Sequence, residues 1–258
     1  MRKIIGIDIG ASKITGFIFG GKKPVHSMTI KTPKNLNDFK RGLFGLIGFL
    51  LSKGRAAGIG IGMAGLVDSK NGTTITSPNM KFVRNLKLLK LIKEEFHLPV
   101  KIDNDVNCFT RAEFKLGQAK KYKNIVGLTL GTGIGGGLVI NGQMYRGSNN
   151  FGGEAGWMVL QSNRAWEKLF QKARKAKNYP LIGELTGKAL ANLVNLLDPD
   201  CVVLGGSLAV SAEKQFLPVA LRTMKKYLLN RNSHVKVFVS KLKDSTALGA
   251  ALLFGRSN

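Results

Sequence analysis

The chain is poor in acid. Its 258 residues carry 15 Asp and Glu against 40 Lys and Arg, a formal net charge of +25. A surplus of that size attracts polyanions. The basic residues are nonetheless spread along the chain, with no basic arm and no zinc-finger spacing. The densest clusters are Lys115, Lys120, Lys121 and Lys123, and the segment 164–177. They read as solvated surface, and nucleic acid is not expected as a partner. Cysteine is scarce too. Cys108 and Cys201 lie far apart in apolar settings, which excludes a disulfide scaffold and reads as two buried thiols in a reducing compartment. The three histidines, His26, His97 and His234, have no metal-ligand neighbours at useful spacing, so no zinc site is expected. No apolar run approaches the ~20 residues of a membrane span. No signal peptide is read ahead of the first strand pattern, so the protein is expected in the cytoplasm, with no membrane partner. Apolar content of 44% supports the core of one large or two modest domains.

Glycine, by contrast, is abundant. The stretch Ile125–Tyr145 reads as an apolar run, a turn holding glycines 131, 133, 135, 136 and 137, a second apolar run (Leu138–Ile140) and Asn141-Gly142. That is strand, glycine turn, strand, tight hairpin turn. Bare backbone in the turn can cradle an anion such as phosphate. Gly131, Gly133 and Gly136 also match G-x-G-x-x-G, but a dinucleotide fingerprint must open a helix, and here the chain continues as strand. Shifted by 121 positions, Ile5–Phe19 lies over Val126–Ile140, with glycines coinciding at 6/127, 10/131 and 16/137. Two copies of a strand–turn–strand unit predict two related halves, each offering a phosphate loop.

The periodicity predicts strands over 3–9, 13–19, 25–32, 57–62, 73–76, 99–103, 201–204 and 235–240. Helices are expected over 35–53, 86–97, 106–116, 165–177, 181–197, 211–229 and 246–254, with Asn35 or Asn37 capping the first and Gly54 ending it. Each half runs strands first, then alternating helices and strands, which makes an α/β fold with a mixed sheet and ligands at the strand ends. Five of the scarce carboxylates, Asp8, Asp68, Asp103, Asp105 and Glu154, fall where strands hand over to turns or within loops. Extended backbone would put Asp103 and Asp105 on one face with Asn104 opposite, and Asp105 is placed to cap the helix that follows.

Seven motifs carry a resemblance. Asp8-Ile9-Gly10-Ala11-Ser12-Lys13, Gly62-Met63-Ala64-Gly65-Leu66-Val67-Asp68, Ser77-Pro78-Asn79, Asn104-Asp105-Val106-Asn107, Leu130-Gly131-Thr132-Gly133-Ile134-Gly135-Gly136-Gly137, Gly153-Glu154-Ala155-Gly156 and Leu204-Gly205-Gly206-Ser207 resemble, in order, those of the ROK family of sugar kinases and repressors. The resemblance implies an actin/hexokinase-like fold of two duplicated ribonuclease-H-like lobes with a central cleft. The N-terminal lobe would be 1–104 and the C-terminal lobe 105–244, with a final helix in 245–258 packing back on the first. It implies Asp105 as catalytic base, and Gly65, Asn79, Asn104 and Glu154 as sugar-binding positions. It implies Asp8, Gly10, Ala11, Ser12 and Lys13 as the first phosphate loop and magnesium region, Gly131, Thr132 and Gly133 as the second loop, and Gly205 and Gly206 under the adenosine.

Two departures stand out. Ala11 replaces a usual glycine, and Trp157 stands where the family has a histidine that helps bind zinc and sugar; a tryptophan there can stack on a sugar face instead. Residues 158–178 hold no cysteine and look compressed where a cysteine-rich zinc segment and a further sugar-binding glutamate should follow, so a zinc-free site is expected. No DNA-binding helix-turn-helix precedes the first strand, which disfavours the repressor branch. The expected activity is transfer of the γ-phosphate of ATP, with Mg2+, to a hexose such as glucose; the oligomeric state is left open, a homodimer being usual in the family. The alternatives are a polyphosphate-dependent glucokinase, motivated by the charge, and a catalytically impaired sugar-binding or interaction protein, motivated by Trp157.

Overall fold

The computed structural model describes residues 2–21, 23–161, 163–231 and 233–255. The chain forms two compact units, residues 1–112 with 242–258, and residues 113–241. The expected boundary at 104/105 and the final segment 245–258 compare with these limits, and positions 256–258 of that segment lie outside the described residues.

In the first unit β1 (Ile4–Ile9), β2 (Lys13–Phe19) and β3 (Pro24–Lys31) form an antiparallel meander. After α1 (Leu36–Lys53) comes β4 (Ile59–Met63), then the hairpin β5 (Leu66–Asp68) and β6 (Thr73–Thr76). Then follow α2 (Leu88–Phe96), β7 (Val100–Asn104) and α3 (Asp105–Leu116), whose last residues belong to the second unit. The sheet order is β3-β2-β1-β4-β7, with β1, β4 and β7 parallel. The second unit carries β8 (Ile125–Leu130), β9 (Ile134–Ile140), β10 (Gln143–Tyr145) and the small hairpin β11 (Val159–Gln161) and β12 (Arg164–Ala165). It continues through α4 (Trp166–Lys175), α5 (Tyr179–Leu197), β13 (Cys201–Gly205), α6 (Ser207–Ser211), α7 (Glu213–Tyr227) and β14 (Lys236–Val239). Its order is β10-β9-β8-β13-β14. The last helix, α8 (Ser245–Ala251), returns to the first unit.

Strand alternation gives the first sheet two unlike faces. Ile5, Ile7, Ile9, Ile59, Ile61, Met63 and Ile102 enter one buried cluster with Phe39, Leu43 and Leu46 of α1 and Leu88 and Ile92 of α2. The intervening rows are small: Gly6 pairs with Gly60, and Asp8 with Gly62. On this face α8 lies directly on the strand backbone, and a Cβ on Gly60 would overlap the carbonyl of Ala250. The second core gathers Val126, Leu128, Leu130, Val202 and Leu204 of the sheet with Trp166, Phe170, Leu185, Leu190 and Phe216 of its helices.

The duplication is visible in the strand limits, since 4–9 and 13–19 fall on 125–130 and 134–140 when displaced by the expected 121. The pairing is not identical. Ile9 pairs with Ile14 in the first unit, whereas Leu130 pairs with Ile134 in the second, so the second turn is one residue shorter. A one-residue slip exchanges the faces of a strand. Gly16, opposite Ile7, therefore corresponds to Gly136, opposite Leu128, and not to Gly137 as the linear overlay suggested. The glycine turn is also narrower than 131–137, because β9 already begins at Ile134. The helix expected over 211–229 is α7, shorter at both ends (213–227), and the short α6 (207–211) precedes it where a loop was expected. Asn35 caps α1, accepting from the Asp38 amide.

Candidate functional site

In the first unit the ends of β1, β4 and β7 set Asp8, Gly62 and Asp103 in one row. The turn after β1 is closed by the Gly10 amide on the Lys13 carbonyl at 3.0 Å and held from the side by Thr32, whose hydroxyl donates to the Gly10 carbonyl at 2.7 Å. Ser12 and Lys13 are exposed there. Asp8 is half-buried, and burial pushes its carboxyl up to about 7, with Lys13 pulling it down and Asp244 adding to the rise.

At the β7–α3 junction three side chains divide the work. Buried Asp103 accepts from the Asn104 amide at 2.9 Å and from Asn107 Nδ2 at 3.1 Å, and lies 3.5 Å from Arg111 Nη2. It fastens the junction from within. Asn104 Oδ1 accepts from the amides of Val106 (2.8 Å) and Asn107 (3.1 Å), while its Nδ2 donates to the Gly65 carbonyl at 2.9 Å. The helix cap is thus Asn104, not Asp105 as expected, because α3 starts one residue earlier and Asp105 occupies its first turn. There Asp105 Oδ1 accepts from the Val106 amide at 3.0 Å, half-buried, at the positive end of the helix dipole. Gly65, at φ +108°, packs on the backbone of Thr76 and Ser77, and exposed Asn79 follows two residues later. The structure therefore brings Gly65, Asn104 and Asp105 together, with the Ser77–Asn79 loop alongside. Asp68 is a turn residue instead. Its carboxylate accepts from the Asn71 amide (3.1 Å) and Nδ2 (2.7 Å) and from the Lys70 amide (3.1 Å), and the bonds from Asn71 above all hold it below the usual carboxylate range.

In the second unit the Gly131 amide donates to the Gly133 carbonyl at 3.0 Å, closing a turn that contains Thr132. Gly205 ends β13 beside Thr129, and Gly206 (φ +87°) lies against the Leu130 backbone. The 153–157 turn docks on β9, where a Cβ on Gly136 would overlap the Gly153 carbonyl. Glu154 is half-buried, and its carboxyl is pushed up by burial and, second, by Glu167. Trp157, at 71% exposure, leaves its ring in solvent. Glu167 was not singled out in the sequence. It sits in the first turn of α4, accepts from the Ile134 amide at 3.0 Å and from Gln171 Nε2 at 3.0 Å, and underlies both the Gly131–Gly133 turn and Gly156. Its signal was an isolated acid in the first turn of the basic helix expected over 165–177. Among the described residues no group of three or more His, Cys, Asp or Glu could hold a metal ion.

Asp8, Asn104, Gly131 and Gly205 thus lie at the carboxyl ends of parallel strands, while Asn79, Glu154 and Trp157 lie in loops. Two sheets of the same strand order, each with a glycine-containing turn between its first two strands, define a duplicated actin/hexokinase-like fold. The ROK hexokinase of Thermus thermophilus matches it with a TM-score of 0.85 at 27% identity, over 97% of both chains. An N-acetyl-D-glucosamine kinase of Photobacterium profundum is 28% identical over 302 residues, covering 96% of this chain and 98% of that protein. A putative xylose repressor of Caldicellulosiruptor is also 28% identical, over 93% of this chain and 75% of its own length. The ROK family pattern matches residues 4–166 and 164–257, and the chain belongs to the ROK family.

Proposed function

We propose that the protein is an ATP-dependent hexose kinase acting on glucose or a close relative, with Asp105 as general base. The observation that carries this reading is the β7–α3 junction. Asn104 caps the helix and donates one Nδ2 hydrogen to Gly65, leaving the other, and so fixes the neighbouring Asp105 carboxylate at a strand end beside the Gly65 backbone. A carboxylate so placed accepts the proton of the attacking sugar hydroxyl as that oxygen bonds to the γ-phosphorus and the ADP oxygen leaves. Gly65, Asn79, Asn104, Glu154 and Trp157 are proposed to contact the sugar, and Glu167, next to Glu154, supplies the further glutamate expected of the family. The turns at Gly10–Lys13 and Gly131–Gly133 offer backbone to the donor phosphates, with Gly205 and Gly206 toward the adenosine.

The residues fit Mg2+ at Asp8. A carboxyl desolvated enough to be pushed up to about 7 gains from a cation beside it. The metal would supply neutralisation of the charge on the donor phosphates. No zinc is proposed.

The test is phosphorylation of a hexose panel, with ATP and then polyphosphate as donor and with Asp105→Asn in parallel. We expect turnover with ATP that the substitution removes by at least ~10²-fold, with the melting curve unchanged. Retained activity would refute the base assignment, and turnover with polyphosphate alone would refute the donor. A second reading, sugar sensing without turnover, is favoured by the likeness to a xylose repressor. Calorimetric sugar binding by folded protein that turns over with neither donor would replace the kinase reading with this one.

A further inference from the structure

The second unit extends the basic cluster at 115–123 with lysines from a distant part of the chain. The segment 113–123 runs beside the edge strand β14, tied to it at two points. Ser240 Oγ meets Glu113 Oε1 at 2.5 Å, and the rings of Tyr122 and Phe238 lie 6.2 Å apart. This pairing puts Lys115, Lys120, Lys121 and Lys123 alongside Lys236 and Lys241, all six exposed. Among the described residues none of the six is paired with a carboxylate. The nearby acids are engaged elsewhere. Glu113 is buried and also accepts from the Gln118 amide at 3.2 Å, and Asp200 accepts from the amides of Lys123 and Asn124 at 3.0 and 2.8 Å.

The stripe also carries half-buried aromatic rings with ammonium groups over them. Lys115 Nζ is 4.5 Å from the Phe114 ring centre, and Lys121 Nζ is 5.3 Å from that of Tyr122. Exposed cations from two adjoining segments, interleaved with rings on which bases can stack, are the chemistry that holds a single strand without reading its sequence. A second copy of this chain, itself at +25, is repelled from such a surface. We propose that this stripe binds single-stranded nucleic acid, separately from any sugar chemistry.

The test is fluorescence anisotropy of a labelled oligouridylate of about 16 nucleotides, titrated with the intact protein over a range of salt. Replacing Lys115, Lys120, Lys121 and Lys123 together by Ala should weaken binding at least tenfold and flatten the salt dependence by about 2–3 log units per decade of salt. A control with the same charge change on α7, Lys214, Arg222, Lys225 and Lys226 to Ala, should change it far less. Equal loss in both variants would show a net-charge effect and overturn the site. Tyr122→Leu, which keeps an apolar contact for Phe238, should weaken the oligonucleotide severalfold and leave inorganic polyphosphate unaffected. If polyphosphate displaces the oligonucleotide and Tyr122→Leu changes neither, the stripe holds bare phosphate chains and the nucleic-acid reading is wrong. No binding by folded protein at low salt also overturns it.

Discussion

Replacing Asp8 by Asn is expected to stabilise the first unit at neutral pH while disabling it. Burial raises the Asp8 carboxyl from 3.8 to about 7. Below about pH 4 both the folded and unfolded chains hold this proton, and the residue costs nothing. Between about pH 4 and 7 the folded chain keeps a proton that the unfolded chain has released, so each step up in pH lowers the stability of the fold. Above 7 both forms are ionised and the loss is constant. A displacement of about three pH units corresponds to a ceiling of about 4 kcal/mol. Water reaching the strand end reduces this, and half of it, about 2 kcal/mol, shifts Tm by about 4–8 °C. Asn has the same shape and no charge, so its stability curve should meet that of the wild type near pH 4 and rise above it by pH 8. Calorimetry across that range reads the difference directly. Parallel curves would refute the reasoning, because they would show that Asp8 is not desolvated by the fold. Magnesium and nucleotide should then stabilise the wild type more than the variant, since only the carboxylate gains a partner.

Other substitutions probe the same strand ends. Asn104→Ala removes the α3 cap and the bond to the Gly65 carbonyl, a loss of about 2–3 kcal/mol in urea denaturation. Asn104→Asp keeps the cap and should lose only about 1 kcal/mol; equal losses would deny the cap. Gly60→Ala drives a methyl into the Ala250 carbonyl, and α8 must lift, costing about 1–3 kcal/mol or more. A neutral result would show that α8 does not rest on the strand. Trp157→Ala should leave stability within about 0.5 kcal/mol, because the ring is exposed, and raise the KM for sugar severalfold. An unchanged KM removes Trp157 from the sugar site.

Much of the architecture was legible in the sequence. The 121-residue displacement fixed where β8 and β9 lie, because apolar runs of strand length bounded by glycine have few other solutions. The turn-by-turn detail was not. A one-residue difference between two glycine turns leaves composition and period unchanged, and only the pairing of Leu130 with Ile134 reveals it. The cap at Asn104 was missed for a similar reason. Asp, Asn and Asp stand in a row at 103–105, all able to cap, and the choice depends on which residue begins the helix. Glu167 was hidden because its role comes from an amide 33 residues earlier in the chain. The cluster at 115–123 was visible in the sequence, but not its union with Lys236 and Lys241, which lie more than a hundred residues away and are brought beside it by the contacts of Glu113 with Ser240 and of Tyr122 with Phe238.

The return of α8 to the first sheet has a consequence for the order of synthesis. The second unit is one uninterrupted stretch, 113–241, whereas the first draws on α8 as well as on the chain before 113. On the ribosome the half that emerges first must wait, with the glycine rows of β1 and β4 uncovered, until the last helix is released. The usual N-terminal-first sequence of domain folding is therefore inverted in this chain: the middle completes itself, and the beginning is finished by the end.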